Sequence, residues 1–503
     1  MKPGLSRRQF LRAAAVGSAG LALGSRLCAQ PAKLPRKPNL LVFLPDQLRA
    51  DAIVGETANS VHAPNLHKLA SESVVFERAY VTHPICAPSR SSLLSGTWPL
   101  QNGCTNNQSA LPRKFRCLPE LLGDPDYRTG YFGKWHLGDE FSAQRGFQEW
   151  ASIEEHFKSA ISDKKIDGVS DYTKFLLSKG YKPDLGNGKY FGRSFVSTLP
   201  FELSKAKFVE TKACEFLEQY RSEPFLMFVA FIEPHPPYNG PFNDEHPLEK
   251  ISLDASAGDA FGEDIPLRYR LRQELYRKRL ATPEKYRGTK QKYLGLITQI
   301  DRCVGTILTK LNDLGLGENT ITVLTSDHGD MMGGHGILGK RLMFEQSARV
   351  PYLVRVPGQR PLHCSAPISH IDFAPTMLDL MGKPADSQCV GQSRANLIRG
   401  ATASPDFVFL EWSPDKEKIF KQTKLATKEE IKRCLAESTR ALVSPDGWKL
   451  CLRDKDKNEL YNLRDDPEER TNLYYKNTPP DIIARLTSEI HRWQERVGDT
   501  LKV

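Results

Sequence analysis

The sequence predicts an α/β protein in which a mostly parallel sheet is sandwiched by helices, with a smaller C-terminal α+β subdomain of antiparallel sheet plus helix. Two observations carry the main body. Short apolar runs recur at Asn39 to Leu44 (NLLVFL), Phe225 to Ile232 (FLMFVAFI), Thr320 to Thr325 (TITVLT) and Val350 to Val354 (VPYLV), as expected of central parallel strands buried on both faces. Helix-like stretches such as Lys290 to Leu314 and His370 to Met381 lie among them, and strands alternating with helices build a sheet covered on both sides. A third observation sets the subdomain apart: after about residue 400 the texture changes to short strand-like segments joined by turns.

Taken in order, the chain opens on Ser6-Arg7-Arg8-Gln9-Phe10-Leu11, followed by a mildly apolar run from Ala13 to Gly24. The run is too short to span a bilayer, and the paired arginines before it match a twin-arginine signal. Residues 1–29 are therefore expected to be a leader cleaved after Ala29, and 30–38 a basic linker. The expected mature protein is periplasmic or extracellular, with the twin-arginine export machinery as a partner and no stable membrane span. The first strand ends at Pro45-Asp46, the second run leads to Glu233 and His235, and the third to Asp327 and His328. Ligands of open α/β sheets bind beyond the carboxyl ends of strands, so these residues are expected to converge. Polar regions at about 140–200 and 239–290 interrupt the pattern, and excursions of this kind can wall a pocket. Near the end, Thr439 to Val443, Trp448 to Leu452 and Leu460 to Leu463 are joined by Pro445-Asp446-Gly447 and Asp454 to Asn458 as an antiparallel meander, before an amphipathic helix from Pro480 to about Val497.

Charge and cysteines narrow the function classes. Of the net charge of +10, eight units lie before Pro38, where no acidic residue occurs, so the remaining body carries only +2. A near-neutral body gives no electrostatic reason to expect a nucleic-acid partner. Apart from Cys28 and Cys86, eight cysteines remain, an even number that permits disulfides in an exported chain, with Cys104 and Cys117 or Cys434 and Cys451 the nearest pairs. No C-x-x-C spacing points to structural zinc.

The densest chemistry is Cys86-Ala87-Pro88-Ser89-Arg90, followed by Ser91-Ser92-Leu93-Leu94-Ser95-Gly96. Pro88 and Ser89 should start a helix directly after Cys86, which places that side chain near helix N–H groups that favour negative charge, with Arg90 one turn away. Asp46, Gly133-Lys134-Trp135-His136-Leu137-Gly138, Pro234-His235-Pro236-Pro237-Tyr238, Ser326-Asp327-His328-Gly329-Asp330 and Lys340 follow along the chain, with Leu460-Tyr461-Asn462-Leu463 and Asp466-Pro467-Glu468-Glu469 near its end. In this conjunction and order, the chain resembles the type I, formylglycine-dependent sulfatases of the alkaline phosphatase superfamily.

The resemblance implies an alkaline-phosphatase-like catalytic domain over 39–400 and a C-terminal subdomain over 401–503. It implies that Cys86 is oxidised to formylglycine by a formylglycine-generating or equivalent maturation enzyme, and that the hydrated aldehyde is the nucleophile. Asp46, Gln47, residue 86, Asp327 and His328 would surround one divalent ion, Ca2+ by family habit, with Mg2+ or Mn2+ as alternatives. Gln47 stands where a second aspartate is common and His328 where asparagine is frequent, so the site has one formal negative charge fewer and one extra nitrogen. Arg90 and Lys134 would hold the anionic oxygens, His235 and Lys340 the leaving oxygen, and His136 would serve as base when the aldehyde is regenerated. The implied activity is sulfate release from a sulfate ester, a sulfated carbohydrate being favoured. A phosphonate monoester or phosphodiester hydrolase, a choline-sulfatase-like enzyme, and a non-catalytic glycan-binding protein with unmodified Cys86 remain as alternatives. Trp135 reads as a packing aromatic and Asp372 as a cap for the helix near Phe373.

Overall fold

The computed structural model describes residues 37–55, 61–155, 168–402, 406–415, 423–476 and 478–503; the predicted leader and all but the end of the linker lie outside these. Eight strands make the main sheet: β1 (Asn39–Phe43), β2 (Val74–Phe76), β3 (Arg128–Gly133), β4 (Glu149–Ser152), β5 (Phe225–Ala230), β6 (Thr320–Thr325), β7 (Tyr352–Arg355) and β8 (Leu362–Cys364). Their order is β8-β2-β7-β6-β1-β5-β3-β4. Central β1 runs parallel to both neighbours, pairing Leu40 with Leu226 and with Ile321.

The unbroken apolar runs are explained by helices on both faces. Leu41, Phe43, Met227 and Val229 pack with Phe208 and Phe216 of helix Lys205–Gln219 and Ile297 and Ile300 of helix Pro283–Asp313. Leu40, Val42, Leu226, Phe228 and Val323 meet Leu93 and Leu94 of helix Cys86–Ser95 and Met377 and Leu378 of helix Phe373–Leu380. Each such buried side chain contributes about 1.5–3 kcal/mol relative to exposure, which confines the functional polar groups to the strand ends.

The structure corrects or refines four readings. The strand in the Val350 to Val354 run is antiparallel to β6, with Val354 opposite Val323; the chain from 326 to 348 stays at the end of the sheet where β6 finishes, so it must return in the opposite direction. The polar 140–200 region contributes β4, a parallel edge strand beside β3, which lacks the doubly buried apolar signature because only its last two residues are buried. Asp372 stands at the N-cap of the helix at Phe373, but its side chain makes no capping bond there; its carboxylate accepts Gln392 N–H at 2.9 Å and pairs with Arg394 at 2.8 Å. All nine described cysteines are free thiols, and burial in the apolar core pushes Cys104 and Cys117 up to about 12.

The C-terminal meander forms as an antiparallel sheet of β9 (Val408–Trp412), β10 (Thr439–Val443), β11 (Trp448–Arg453) and β12 (Glu459–Asn462), in that order. Leu486, Ile490 and Trp493 of helix Pro480–Val497 cover Leu442, Leu450 and Leu460. The described residues belong to one compact unit. No helix among the described residues is long and apolar enough to cross a membrane.

Candidate active site

The site forms where β1, β5, β6 and β3 end. Beyond β1 the ladder continues for two more bonds, Leu44 N–H to the Val229 carbonyl at 2.9 Å and Asp46 N–H to the Phe231 carbonyl at 3.0 Å, and then Gln47 turns the chain with a left-handed φ of 75°. Gln47 N–H is held by Asp327 Oδ1 at 3.0 Å, so the turn that follows β1 is tied to the one that follows β6. Close backbone approach dictates two glycines. A Cβ on Gly133 would lie 1.9 Å from the Ala230 carbonyl, and one on Gly329 2.1 Å from that of Gln346. Just past Gly133, His136 adopts φ 62°, a strained region for a residue with a side chain. The buried Glu140 carboxylate compensates by accepting the N–H groups of Trp135 (3.2 Å) and His136 (2.8 Å).

Helix Cys86–Ser95 begins at the cysteine itself, one residue earlier than the sequence suggests, and all ten residues are buried. Pro88 sits in the first turn, where a missing N–H costs nothing. The Cys86 sulfur lies 3.2 Å from His328 Nε2, 3.2 Å from Lys340 Nζ and 3.7 Å from Lys134 Nζ. Burial and Asp46 favour the neutral thiol, but Lys134, Lys340 and His328 outweigh them and hold Cys86 well below the usual thiol range. Asp46 is likewise driven well down: burial opposes ionisation, and Lys134 and Lys340 overcome it. Lys134 binds Asp46 Oδ2 directly, while Arg90 donates to Asp327 Oδ2 at 2.8 Å and to the Lys134 carbonyl at 2.6 Å.

Asp46, Cys86, Asp327 and His328 place ligand atoms within 4.8 Å of one another, all buried, a spread that a sphere of ligands about 2.3–2.6 Å from one cation accommodates. Asp46 Oδ1 is buried without a hydrogen-bond partner and lies 3.6 Å from His328 Nε2. These donors fit a divalent ion. Gln47 Oε1 faces the same space but accepts from Lys340 at 2.7 Å, and its Nε2 is held by Asp330 at 2.5 Å.

His136 Nε2 is 3.2 Å from the Asn107 carbonyl, and burial brings its pKa down to about 4. His235, beyond β5, keeps a partly exposed edge; burial, Lys340, Lys134 and Arg193 hold it well below 6.5 against the pull of Asp46. Every site residue expected from sequence thus lies in or beside one centre. Sequence reasoning missed Asn107, whose Oδ1 accepts Ala87 N–H at 3.1 Å, as well as Glu140 and Arg193; none belongs to a recognisable motif. Trp135 packs edge-on to Tyr131 at 5.0 Å. At the end of β9, Glu411 accepts Leu100 N–H at 2.9 Å, and the Trp412 ring lies tilted against His83 at 5.0 Å.

A mostly parallel sheet with a buried nucleophile candidate, three convergent cations and a carboxylate pair able to hold a metal defines a hydrolase of anionic esters on the alkaline-phosphatase-like fold. A Sulfatase family model matches residues 38–383, and one described as N-sulphoglucosamine sulphohydrolase, C-terminal, matches 333–496. The chain belongs to the sulfatase family and is a sulfuric ester hydrolase. It is 30% identical to an ulvan-active sulfatase of Formosa agariphila over 74% of this chain and 67% of that one. With N-acetylglucosamine-6-O-sulfatase of Bacteroides thetaiotaomicron it shares 26% identity over 91% and 86% of the two chains. The solved structure of a phosphonate monoester hydrolase from Silicibacter pomeroyi superposes with a TM-score of 0.76 and 22% identity, covering 92% and 96%, a likeness of fold.

Proposed function

We propose that the protein releases sulfate from a sulfated carbohydrate, using formylglycine made from Cys86 and one calcium ion. The observation that carries this is the position of Cys86, at the start of a buried helix and within 3.7 Å of Lys134, Lys340 and His328. A bare thiol has no second hydroxyl, whereas a hydrated formylglycine offers one for attack and one for release. The ion, held by Asp46, Asp327, His328 and the Gln47 carbonyl, would supply charge neutralisation for the sulfate oxygens and the nucleophile. Asp327 takes the attacking hydroxyl's proton. Arg90 and Lys134 supply positive charge where negative charge gathers. As the S–O bond breaks and its electron pair moves to the sugar oxygen, Lys340 and His235 stabilise that oxygen. His136, neutral above about pH 4, is suited to accept the proton whose loss regenerates the aldehyde.

The carbohydrate assignment draws support from the two named relatives, which act on ulvan and N-acetylglucosamine 6-sulfate by their descriptions. His235 also lines a cavity with Arg193, Val196, Leu199, Ile232, Pro236 and Leu296 among others, and the proposal puts the alcohol part of the substrate on that side. Export through the twin-arginine route, with residues 1–29 removed and the domain division near residue 400, belongs to the same proposal. Peptide mass spectrometry at Cys86 is the test, together with assay of defined sulfated oligosaccharides: aldehyde at residue 86 with sulfate release is expected, and a fully active protein with unmodified thiol ends this reading. Gln47 and His328 favour a second reading, phosphonate monoester hydrolysis, which dominant activity on a phosphonate monoester would establish.

A further inference from the structure

Of the polar groups around the cavity beside His235, one side chain has an arrangement that packing alone does not require. Arg193 opens the short helix Arg193–Val196, in the polar region that carries no recognised motif. Its guanidinium is gripped by the fully buried Glu154, through Nε to Oε1 at 3.1 Å and through Nη2 to Oε2. Lys205 Nζ closes on the same carboxylate at 2.6 Å. A planar guanidinium held on two nitrogens has its third nitrogen fixed in direction, and that nitrogen, Nη1, stands 3.3 Å from His235 Nδ1.

His235 Nδ1 therefore faces two groups with opposite demands. The Pro236 carbonyl, 2.8 Å away, asks for a proton on Nδ1. The Arg193 N–H asks for a lone pair there. In a neutral imidazole one nitrogen carries the proton and the other does not, so whichever partner prevails at Nδ1 decides what Nε2 presents. We propose that Arg193 is a positioning residue for His235: by donating to Nδ1 it keeps the ring proton on Nε2, so that His235 meets the leaving oxygen as a hydrogen-bond donor. A neutral imidazole in this state polarises a developing oxyanion without giving up its proton; the leaving oxygen takes its proton from Lys340 or from water. Without Arg193 the carbonyl captures Nδ1–H, and Nε2 turns a lone pair toward developing negative charge.

The inference rests on the sulfate-ester reading and on the role given there to His235, and the experiment separates the three. kcat/KM is measured over a series of alkyl and aryl sulfates of increasing leaving-group pKa for wild type, His235→Ala, Arg193→Lys and the double variant. Arg193→Lys keeps the charge beside Glu154 and so protects folding. It should lose about tenfold more on alkyl than on aryl sulfates, in the same direction as His235→Ala, and the double variant should be no worse than His235→Ala alone. A slope for Arg193→Lys equal to that of wild type, or losses that multiply in the double variant, overturns the inference. No sulfate release by wild type sinks the functional reading itself, and an unchanged slope in His235→Ala removes His235 from its role and Arg193 with it. A readout independent of turnover is the 15N shift pattern of His235: protonated Nε2 in wild type is expected, and protonated Nδ1 overturns the proposal.

Discussion

The active centre and the ionic network beneath the C-terminal sheet are both buried and both charged, yet they are wired oppositely. In the network, Lys449 pairs with Glu469 at 2.8 Å and Glu345 at 3.1 Å, Arg453 with Glu459 at 2.5 Å and Glu437 at 3.3 Å, and Arg268 with Glu437 at 3.2 Å. Each cation closes on a glutamate side chain of the protein itself. At the active centre Arg90 pairs with Asp327 and Lys134 with Asp46, which leaves Lys340 against the Cys86 sulfur at 3.2 Å and Asp46 Oδ1 buried without a hydrogen-bond partner. The first arrangement satisfies its charges internally and holds two layers together. The second leaves attraction unsatisfied until an anion and a metal arrive, which is how a low-dielectric site binds them strongly.

The comparison is sharpest at Cys86. Replacing it with alanine should remove turnover by at least about 10^4-fold while thermal unfolding changes little, because a small side chain still fits the helix start. Turnover near wild type in that variant would erase the distinction between the regions. Next comes the metal: Asp46→Asn should lower both ion occupancy and activity, with elemental analysis of wild type finding about one calcium per chain. Retained activity in verified metal-free protein counts against the site as read.

Lys449→Met tests the other region. Removing one partner of a buried pair costs about 3–5 kcal/mol, so the melting temperature should drop, while kcat per folded molecule stays at the wild-type value. A variant with intact stability and lost activity would show that the two regions are not separate in purpose. The smallest effect concerns Glu411, at the junction. Burial pushes its carboxyl up to about 8, with Arg440 only partly opposing. The folded protein then keeps a proton that the unfolded chain releases near pH 4.5, so this residue's contribution to stability falls as pH rises from there to about 8, by no more than about 1.4 kcal/mol per pH unit. Glu411→Gln should therefore gain on wild type in melting temperature between pH 6 and 8; a constant difference would contradict the assignment.

What could be read from sequence was what has a linear signature. Strands β1, β5 and β6 were legible because burial on both faces forces uninterrupted apolar runs, and Asp46, Cys86, Lys134, His136, His235, Asp327, His328 and Lys340 because each lies in a short stretch with a family pattern. Edge strand β4 shows no such run, since Glu149 and Trp150 are not fully buried. The direction of β7 depends on where the chain returns, which side-chain pattern does not encode. Arg193 and Glu154 are 39 residues apart and meet only through folding, so nothing local marks either one.

The burial of helix Cys86–Ser95 also imposes a timetable on biosynthesis. Only 1% of Cys86 is exposed, and its neighbours along the helix are covered as fully, so an oxidising catalyst that must enclose the Cys86-Ala87-Pro88-Ser89-Arg90 segment has no access once folding is complete. Under the proposed chemistry, conversion must occur on the nascent or unfolded chain. A twin-arginine leader, which serves for export of folded cargo, would then commit the protein to an order: oxidation first, folding second, passage across the membrane last. On that proposal, folded molecules that miss the first step would be beyond repair unless they unfold, and the active fraction would be set before export.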